Sequence, residues 1–300
     1  MKKNNLFIFI IFINCAGAKI SARTVSSETS FFLKTSGGSV CESLATSYVD
    51  VSCLTWKLPF YIDFAFEEKI SFFNFLCGID LDFSWPNKLG TIEDRDFYLS
   101  GGISQFSKHE NHLENNYFVC INLGYDFNFE KFFIHPFFGI KYQYRNFSAW
   151  DGYGQSLLSG ESFTGDEEKI YFTGNGISYE QNIFIPFLKI VTNYKFKKDF
   201  CIEGTFNFAP YLFASCVDSH YFRNKEFFDE MKGGFSFSFE VEFCFKKIGF
   251  YFSYEYLKTS NNAKTWECSI GQNKLDKTLS EGYIPGIFSN ILSFGISYSL

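Results

Sequence analysis

The sequence lacks the features of several protein classes. Beyond its N-terminal segment it contains no run of about 18 apolar residues, so a membrane-spanning helix is excluded. None of its nine cysteines lies in a C-x-x-C pair or at a Cys/His spacing typical of a metal site. Basic residues are in the minority, with 27 Lys and Arg against 33 Asp and Glu, which argues against a nucleic-acid partner.

Residues 1–18 have the three zones of a secretory signal peptide. Two lysines precede an apolar run over 6–13, and small residues follow up to Ala18. We predict cleavage after Ala18, which removes two lysines and no acid and makes the net charge −8 rather than −6. The alternative is lipidation at Cys15, although Asn14 is a poor residue before such a site. Export without a helical anchor leaves two classes, a secreted soluble protein and an outer-membrane barrel.

The sequence is unusually rich in aromatic residues, with 43 Phe, 18 Tyr and 4 Trp. Over 236–245, Phe and Val occupy every second position while Ser, Glu and Cys occupy the others, and 132–145 and 250–257 repeat this pattern. Such alternation predicts β-strands with one apolar and one polar face. The strands of a soluble β-sandwich show the same alternation of apolar and polar residues. A phenylalanine-rich face on nearly every strand, opposite charges of both signs, favours a lipid-facing wall around a hydrated lumen.

The predicted fold is all-β: a transmembrane antiparallel β-barrel of about ten strands with long extracellular loops, formed as one domain by 19–300. An even number of strands closes such a barrel without an exposed edge. The predicted strands are roughly 27–42, 49–66, 69–85, 113–128, 131–149, 170–193, 197–216, 232–247, 249–266 and 285–300. Short connections, such as 67–69 and 246–247, alternate with long polar ones near 86–112, 150–170, 219–232 and 261–283.

Two further observations concern the ends of strands. Residues 293–300 alternate up to the final Leu300 and resemble the terminal strand that the barrel-assembly machinery recognises, although Phe is commoner at the last position. Several cysteines lie inside predicted strands as small filler. Cys216 and Cys268 lie near predicted loops and could form a disulfide, which the sequence alone does not decide.

Two pairs of polar residues carry the candidate chemistry. Asp218 and His220 are two residues apart, so on an extended chain they share a face. An aspartate beside an imidazole fixes its tautomer and stabilises its charged form, which suits a general base. Asp94 and Asp96 have the same spacing, and two close carboxylates disfavour double ionisation, so that one keeps a proton. Either pair alone is more often a solvated loop; together on one barrel rim they predict a site that activates water.

Several stretches of the sequence resemble the omptins, which are ten-stranded outer-membrane endopeptidases. Asp94-Arg95-Asp96-Phe97 is similar to the family's D-x-D-W, and Asp218-Ser219-His220-Tyr221 is similar to its D-E-H-Y. Leu54-Thr55-Trp56-Lys57 is similar to its L-D-W-K on the second strand. Tyr142-Gln143 and Tyr179-Glu180-Gln181 are similar to positions on its fifth and sixth strands. The order and approximate spacing of these stretches hold over nearly the whole mature chain.

The resemblance implies an aspartate- and histidine-dependent endopeptidase of the bacterial outer membrane, with its active site facing the exterior. Asp218 and His220 would be the dyad that activates water. Asp94 and Asp96 would be the couple that positions this water and handles the tetrahedral intermediate. No covalent acyl-enzyme, metal or cofactor is implied. The expected partners are a peptide or protein substrate at the cell surface and the lipid of the outer membrane.

Two departures from the family pattern concern its ligands. Omptins cut beside basic residues and hold them with two acids; Glu42 falls at the first of these positions and Cys216 at the second. Glu42 could equally be an ordinary rim carboxylate. A neutral thiol cannot grip a guanidinium group as a carboxylate does, so basic selectivity is weakened or the preferred residue differs. The arginines with which the family binds lipopolysaccharide fall at Asn146 and Asn182, and we expect no comparable dependence on lipopolysaccharide.

One feature of the pattern conflicts with this hypothesis. Over 202–212 the even positions look lipid-facing, and continued alternation would turn Asp218 and His220 outward. A bulge or twist, for which Pro210 is a candidate position, would have to reset the face. The alternatives are an inactive barrel that serves as an adhesin, channel or structural surface protein and, more distantly, an acyl hydrolase, for which the sequence offers no serine with a matching His/Asp pattern.

Overall fold

The computed structural model describes residues 25–100, 102–129, 131–157, 163–272 and 278–300. The predicted signal peptide, 1–18, lies outside these residues. The described residues form β segments and one 3-10 turn, Tyr221–Arg223, and include no helix with the length and hydropathy needed to cross a bilayer. The strands are β1 (Val25–Ala45), β2 (Asp50–Phe72), β3 (Phe75–Ser84), β4 (Asn87–Phe97), β5 (Ile103–Tyr125), β6 (Phe127–Phe129), β7 (Phe132–Ser156), β8 (Ile170–Lys197), β9 (Phe200–Ala209), β10 (Phe213–His220), β11 (Lys225–Lys232), β12 (Gly234–Phe245), β13 (Ile248–Thr259), β14 (Ala263–Ser269), β15 (Thr278–Leu279) and β16 (Ile284–Ser299).

Antiparallel pairing closes the chain into a barrel. The hydrogen-bonded neighbours run β1, β2, β3, β5, β7, β8, β9, β12, β13 and β16, and β16 pairs with β1 again. This ring contains ten strands, so the predicted number of strands and the all-β antiparallel barrel are confirmed. Each strand in the ring has a partner on both sides, which satisfies the backbone groups that an open sheet would leave at its edges.

The outer surface carries an apolar belt that follows from the period-2 pattern. On β16, Leu292, Phe294, Ile296 and Tyr298 are exposed, whereas the serines between them are buried. Matching rows of Phe, Ile, Leu and Tyr cover the other strands of the ring. Two-residue turns at 73–74, 198–199 and 246–247 join strands at one end of the belt. At the other end the strands continue well beyond the belt.

This continuation is a second level of the barrel, which we call the extension. It uses the outer ends of β1, β2, β5, β7, β8 and β16, while β4 replaces β3 between β2 and β5, and β10, β11 and β14 follow β8. The predicted loops at 86–112 and 219–232 are therefore wrong in large part, because they contain β4, the start of β5, and β11. Strands outside a bilayer need no apolar outer face, so their sequences carry little alternation.

One predicted turn is also wrong. Residues 67–69 lie inside β2, which continues to Phe72 before the chain turns. The charges there belong to the polar lumen: Lys189 Nζ lies 3.9 Å from Glu67 Oε1 and 3.7 Å from Asp80 Oδ2. A charged side chain facing a hydrated interior does not end a strand, because it has water and opposite charges for partners.

Charged side chains of both signs line the lumen at the level of the belt. Lys34 pairs with Asp82, and Lys141 pairs with Glu255. Arg145 Nη2 lies 3.4 Å from the other carboxylate oxygen of Glu255. These side chains surround a cavity of about 180 Å³. The predicted polar interior with charges of both signs is present.

An apolar layer lies between this charged lumen and the extension. Its centre is Trp56, which is fully buried and stacks on Phe147 with ring centroids 5.1 Å apart and on Tyr179 at 6.2 Å. Val40 and Leu257 are also fully buried in the same cluster. This layer forms the floor of the space enclosed by the extension.

Candidate functional site

The strand that carries the Asp-His pair changes its face at Pro210. In β9 the even-numbered Phe206 and Phe208 are exposed on the outer belt. Pairing stops after β9, and Leu212, which the alternation predicts to face outward, is 0% exposed. Phe213 then points outward with 43% exposure, and the even positions of β10 are buried. A proline cannot donate to the strand ladder, which explains why the interruption occurs there.

Because of this interruption, Asp218 and His220 both face the interior of the extension. They are 4% and 8% exposed, and His220 Nε2 lies 2.6 Å from Asp218 Oδ2. If Nε2–H donates to this carboxylate, Nδ1 of the neutral ring is left as the basic nitrogen. Burial alone lowers the pKa of His220, but Asp218 outweighs it, so the pKa is raised above 6.5.

The two aspartates of the other pair lie on β4, which the extension holds between β2 and β5. Asp94 pairs with Leu54 of β2 and with Ser107 of β5. Asp94, Asp96 and His220 line one cavity of about 230 Å³. The structure thus brings these three side chains to the same space, with Asp218 behind the imidazole ring.

Burial and the neighbouring carboxylate of Asp96 raise the pKa of Asp94 to about 7. The charge of His220 opposes this effect. One oxygen of Asp94, Oδ1, is buried without a hydrogen-bond partner. The site therefore contains a carboxyl group that is partly protonated near neutral pH beside a basic imidazole.

The predicted ligand residues Glu42 and Cys216 lie in a second group of buried side chains in the extension. Both are buried, and the charges of Asp218 and Asp229 act on Glu42. Asp229 is directly opposite Cys216 in the pairing of β10 with β11. Asp229 is 4% exposed, and its Oδ1 has no hydrogen-bond partner. No motif in the sequence points to Asp229, because its position opposite Cys216 depends on the register of the β10–β11 hairpin.

Other residues of the cavity wall, among them His109, Ser107, Phe222 and Arg223, were not predicted. His109 is buried on β5; its Nδ1 contacts the backbone oxygen of Asp151, and its Nε2 lies 3.0 Å from Ser107 Oγ. The ring of Phe222 continues this wall, and Arg223 Nη2 lies 3.4 Å from an oxygen of Asp96. Ser107 and His109 show the same i, i+2 spacing as the predicted pairs, which is the signal that could have found them.

A tight backbone turn positions His109. Asp151 adopts φ of 50° and Gly152 φ of 113°, and the pairing of β7 with β8 shifts register there. A Cβ atom at Gly152 would come within 2.1 Å of the backbone oxygen of Lys108, so only glycine fits. The resulting bulge presents the Asp151 carbonyl to the imidazole.

The described residues also bear on metal ligation and on the possible Cys216–Cys268 disulfide. Within the described ranges, no group of three or more His, Cys, Asp and Glu residues is arranged to hold a metal ion. Cys216 and Cys268 lie on β10 and β14, which β11 separates, and they are not bonded to each other. Cys41 and Cys53 form a close pair of thiols, with sulfur atoms 3.0 Å apart on β1 and β2.

The outer wall near the site carries amides where the family pattern has arginines. Tyr142 donates a hydrogen bond of 2.7 Å from its hydroxyl to Asn182 Oδ1. The nearest arginine in the sequence, Arg145, is 3% exposed and points into the lumen, as alternation requires. It therefore supplies no positive charge to the outer wall.

Comparisons with known proteins agree with this architecture. The family model of the omptin family matches residues 51–300. Among solved structures, the chain is similar to the outer membrane protease OmpT from Escherichia coli, with 18% identity, a TM-score of 0.78, and coverage of 95% of this chain and 99% of that chain. No curated protein matches the sequence.

Two other barrels are far less similar. The attachment invasion locus protein Ail of Yersinia pestis has 8% identity, covers 92% of this chain and 99% of its own, and has a TM-score of 0.29. The transport unit of the autotransporter AIDA-I from Escherichia coli has 10% identity, coverage of 96% and 94%, and a TM-score of 0.37. The family match, in contrast, spans most of the chain, and so the protein belongs to the omptin family of outer-membrane proteases and is a protein of the bacterial outer membrane.

Proposed function

We propose that this protein is an endopeptidase that hydrolyses peptide bonds with a water molecule activated by the Asp218–His220 dyad and the Asp94–Asp96 couple. The observation that carries the proposal is the convergence of His220, Asp94 and Asp96 on one cavity, with Asp218 within hydrogen-bond distance of the imidazole. An oriented base beside a second pair of carboxyl groups is the arrangement that general acid–base hydrolysis needs.

The chemistry follows from the protonation states. Asp218 accepts a hydrogen bond from Nε2–H of His220, so Nδ1 takes a proton from the water. The hydroxide attacks the peptide carbonyl, and the protonated carboxyl group of the Asp94–Asp96 couple donates a hydrogen bond to the oxyanion that develops. His220 then gives its proton to the leaving amine. The products are a carboxylic acid and an amine, and no bond forms between protein and substrate.

The substrate proposed is a peptide or surface protein with a basic residue beside the scissile bond. Glu42, Asp94, Asp218 and Asp229 are all buried in the extension, and one oxygen of each has no hydrogen-bond partner. A buried carboxylate oxygen without a partner is costly, and a cation supplied by the substrate would offset that cost. This charge distribution favours cationic side chains over neutral or acidic ones.

Digestion of a peptide library by the refolded protein in lipid or detergent tests this function. We expect the Asp94→Ala and His220→Ala variants to cleave at least roughly 10²-fold more slowly, the usual contribution of a positioned acid or base. Glu230→Ala and His112→Ala are matched controls, because neither residue lines the cavity. A folded barrel in each variant is verified by its altered migration on unheated gels.

The same experiment distinguishes the alternative of an inactive barrel. If Asp94→Ala and His220→Ala cleave as fast as the parent, the assigned mechanism is wrong. If the folded parent cleaves no peptide of the library, the inactive barrel is the better description. A serine nucleophile, such as Ser107, is tested with a fluorophosphonate, which we expect to leave the activity unchanged because no acyl-enzyme forms.

A further inference from the structure

Two buried carboxyl groups of the extension lie outside the proposed water-activating machinery. Glu42 on β1 and Asp229 on β11 are 8% and 4% exposed. Each has one oxygen that is buried without a hydrogen-bond partner, Oε2 in Glu42 and Oδ1 in Asp229. Within the described part of the chain, neither forms an ion pair with a lysine, arginine or histidine. Burying a carboxylate without a neighbouring cation costs free energy.

The charge of Asp218 in the dyad acts on both carboxyl groups, and the charge of Asp229 also acts on Glu42. Burial, followed by the charges of Asp218 and Asp229, raises the pKa of Glu42. Burial also raises the pKa of Asp229 to about 7, with a contribution from Asp218, while Thr265 opposes it. The electrostatic potentials of Glu42 and Asp229 therefore overlap beside the dyad. A positive group placed between them would favour the ionised form of each carboxyl group and would then be attracted by both.

Asp229 also has a defined relation to Cys216. The two residues are directly opposite on β10 and β11, and both are buried on the inner face. Side chains of directly opposite residues are about 5 Å apart at Cβ, so a carboxylate at 229 reaches the space that a carboxylate at 216 would reach. The thiol of Cys216 cannot itself balance a cation.

We infer that Asp229, together with Glu42, forms the pocket that holds the basic side chain of the substrate and that Asp229 supplies the carboxylate that is absent at Cys216. The inference rests on the proposed function, because it assigns a specificity-determining residue to the same site. With Asp229 in the pocket, this chain selects substrates with a basic side chain even though position 216 is a thiol. Asp229 is a positioning residue for the substrate and takes no part in proton transfer.

Two peptides that differ only in one side chain test this assignment. The first has arginine beside the scissile bond, and the second has citrulline, which has nearly the same shape without the charge. We expect Asp229→Asn to reduce the ratio of kcat/KM for arginine over citrulline by roughly 10²-fold, as for other buried charge pairs. Cleavage of the citrulline peptide is expected to change little.

A matched control and a rescue separate specificity from folding. Glu230→Gln removes the same charge from the neighbouring, exposed position of β11, and we expect it to leave the ratio unchanged. The double variant Cys216→Asp/Asp229→Asn moves the carboxylate across the strand pair and is expected to restore arginine selectivity. A merely structural role of Asp229 would not be rescued in this way.

The pH dependence offers a second readout. In the parent, arginine selectivity is expected to rise as the pH increases through about 7, because Asp229 loses its proton there. Asp229→Asn should flatten this rise. The inference is wrong if Asp229→Asn leaves the ratio unchanged, or lowers both rates equally without rescue by Cys216→Asp.

Binding keeps the inference testable if the protein cleaves nothing. In an Asp94→Ala background, the affinity for an uncleaved arginine peptide over its citrulline analogue is measured with and without Asp229→Asn. A loss of this preference supports the pocket even if the proposed hydrolysis fails. Equal affinities in both proteins would overturn the pocket, whatever the activity.

Discussion

Replacing Asp94 with asparagine should stabilise the barrel in a pH-dependent manner while it slows catalysis. The carboxyl group has a pKa of about 7 in the folded protein, against an ordinary value of 3.8. The folded state therefore binds this proton more tightly than the unfolded state, and the parent loses stability as the pH rises from about 4 to 7. The asparagine side chain of the variant has no proton to lose, so the variant is spared this loss.

The size of the effect follows from the two pKa values. Because the pKa of Asp94 is raised in the folded state, its ionisation lowers the free energy of unfolding of the parent by about 4 kcal/mol at pH 8 and by about 2 kcal/mol at pH 5. Asp94→Asn should therefore gain about 2 to 3 kcal/mol more in free energy of unfolding at pH 8 than at pH 5. The comparison between two pH values is decisive, because any packing cost of the amide is the same at both.

Urea unfolding in lipid vesicles, followed by tryptophan fluorescence, measures this difference. Glu230→Gln is the control; this residue is exposed, and we expect its effect to stay within about 0.5 kcal/mol at both pH values. Peptide cleavage by Asp94→Asn should fall by roughly 10²-fold or more, since the variant lacks the carboxyl O–H that donates a hydrogen bond to the oxyanion. An equal gain at both pH values, or a loss at pH 8, would refute the buried-carboxyl argument.

Further predictions concern other parts of the molecule. Asp218→Asn should lower the pKa of His220, so the acid limb of kcat/KM against pH moves to lower pH; an unmoved limb would contradict the role of the dyad. Pro210→Val, which restores the missing donor of the strand ladder and lets the alternation of β9 continue, should turn the dyad outward and abolish cleavage while the barrel still folds; retained activity would argue against the proline as the cause of the change of face. Oxidised glutathione should link Cys41 to Cys53 by thiol–disulfide exchange, in which its own disulfide is reduced to two glutathione thiols, and peptide mass spectrometry that finds only separate thiols would disprove this. Added lipopolysaccharide should not stimulate cleavage, and a strong increase in rate would show that the outer wall binds it by other groups.

The barrel was predictable because the bilayer imposes a strict pattern. Each strand of the ring needs an apolar face along its belt, and phenylalanine at every second position supplies it. The same rule marks the last strand, where alternation reaches Leu300. It failed in the extension, since β4, β11 and β14 have water or protein on both sides and need no such face. Secondary structure there depends on pairing with distant strands.

The candidate site was predictable to different degrees. Asp94, Asp96, Asp218 and His220 occur in short local patterns, and the structure places three of them on one cavity. The inward turn of Asp218 required an interruption that the sequence signals only through Pro210. Asp229, in contrast, depends on the register of a hairpin, which no local pattern encodes.

The two-level construction separates the demands on the chain. The chain passes from a strand of the belt to a strand of the extension at three breaks, between β3 and β4, between β9 and β10, and between β13 and β14. Residues beyond each break need not follow the inside–outside pattern of the belt. Substitutions in the extension can therefore change substrate preference without altering contact with lipid. Lipid constrains the outer face of the belt, and the enclosed site constrains the inner face of the extension, so the two levels of this chain can be altered separately.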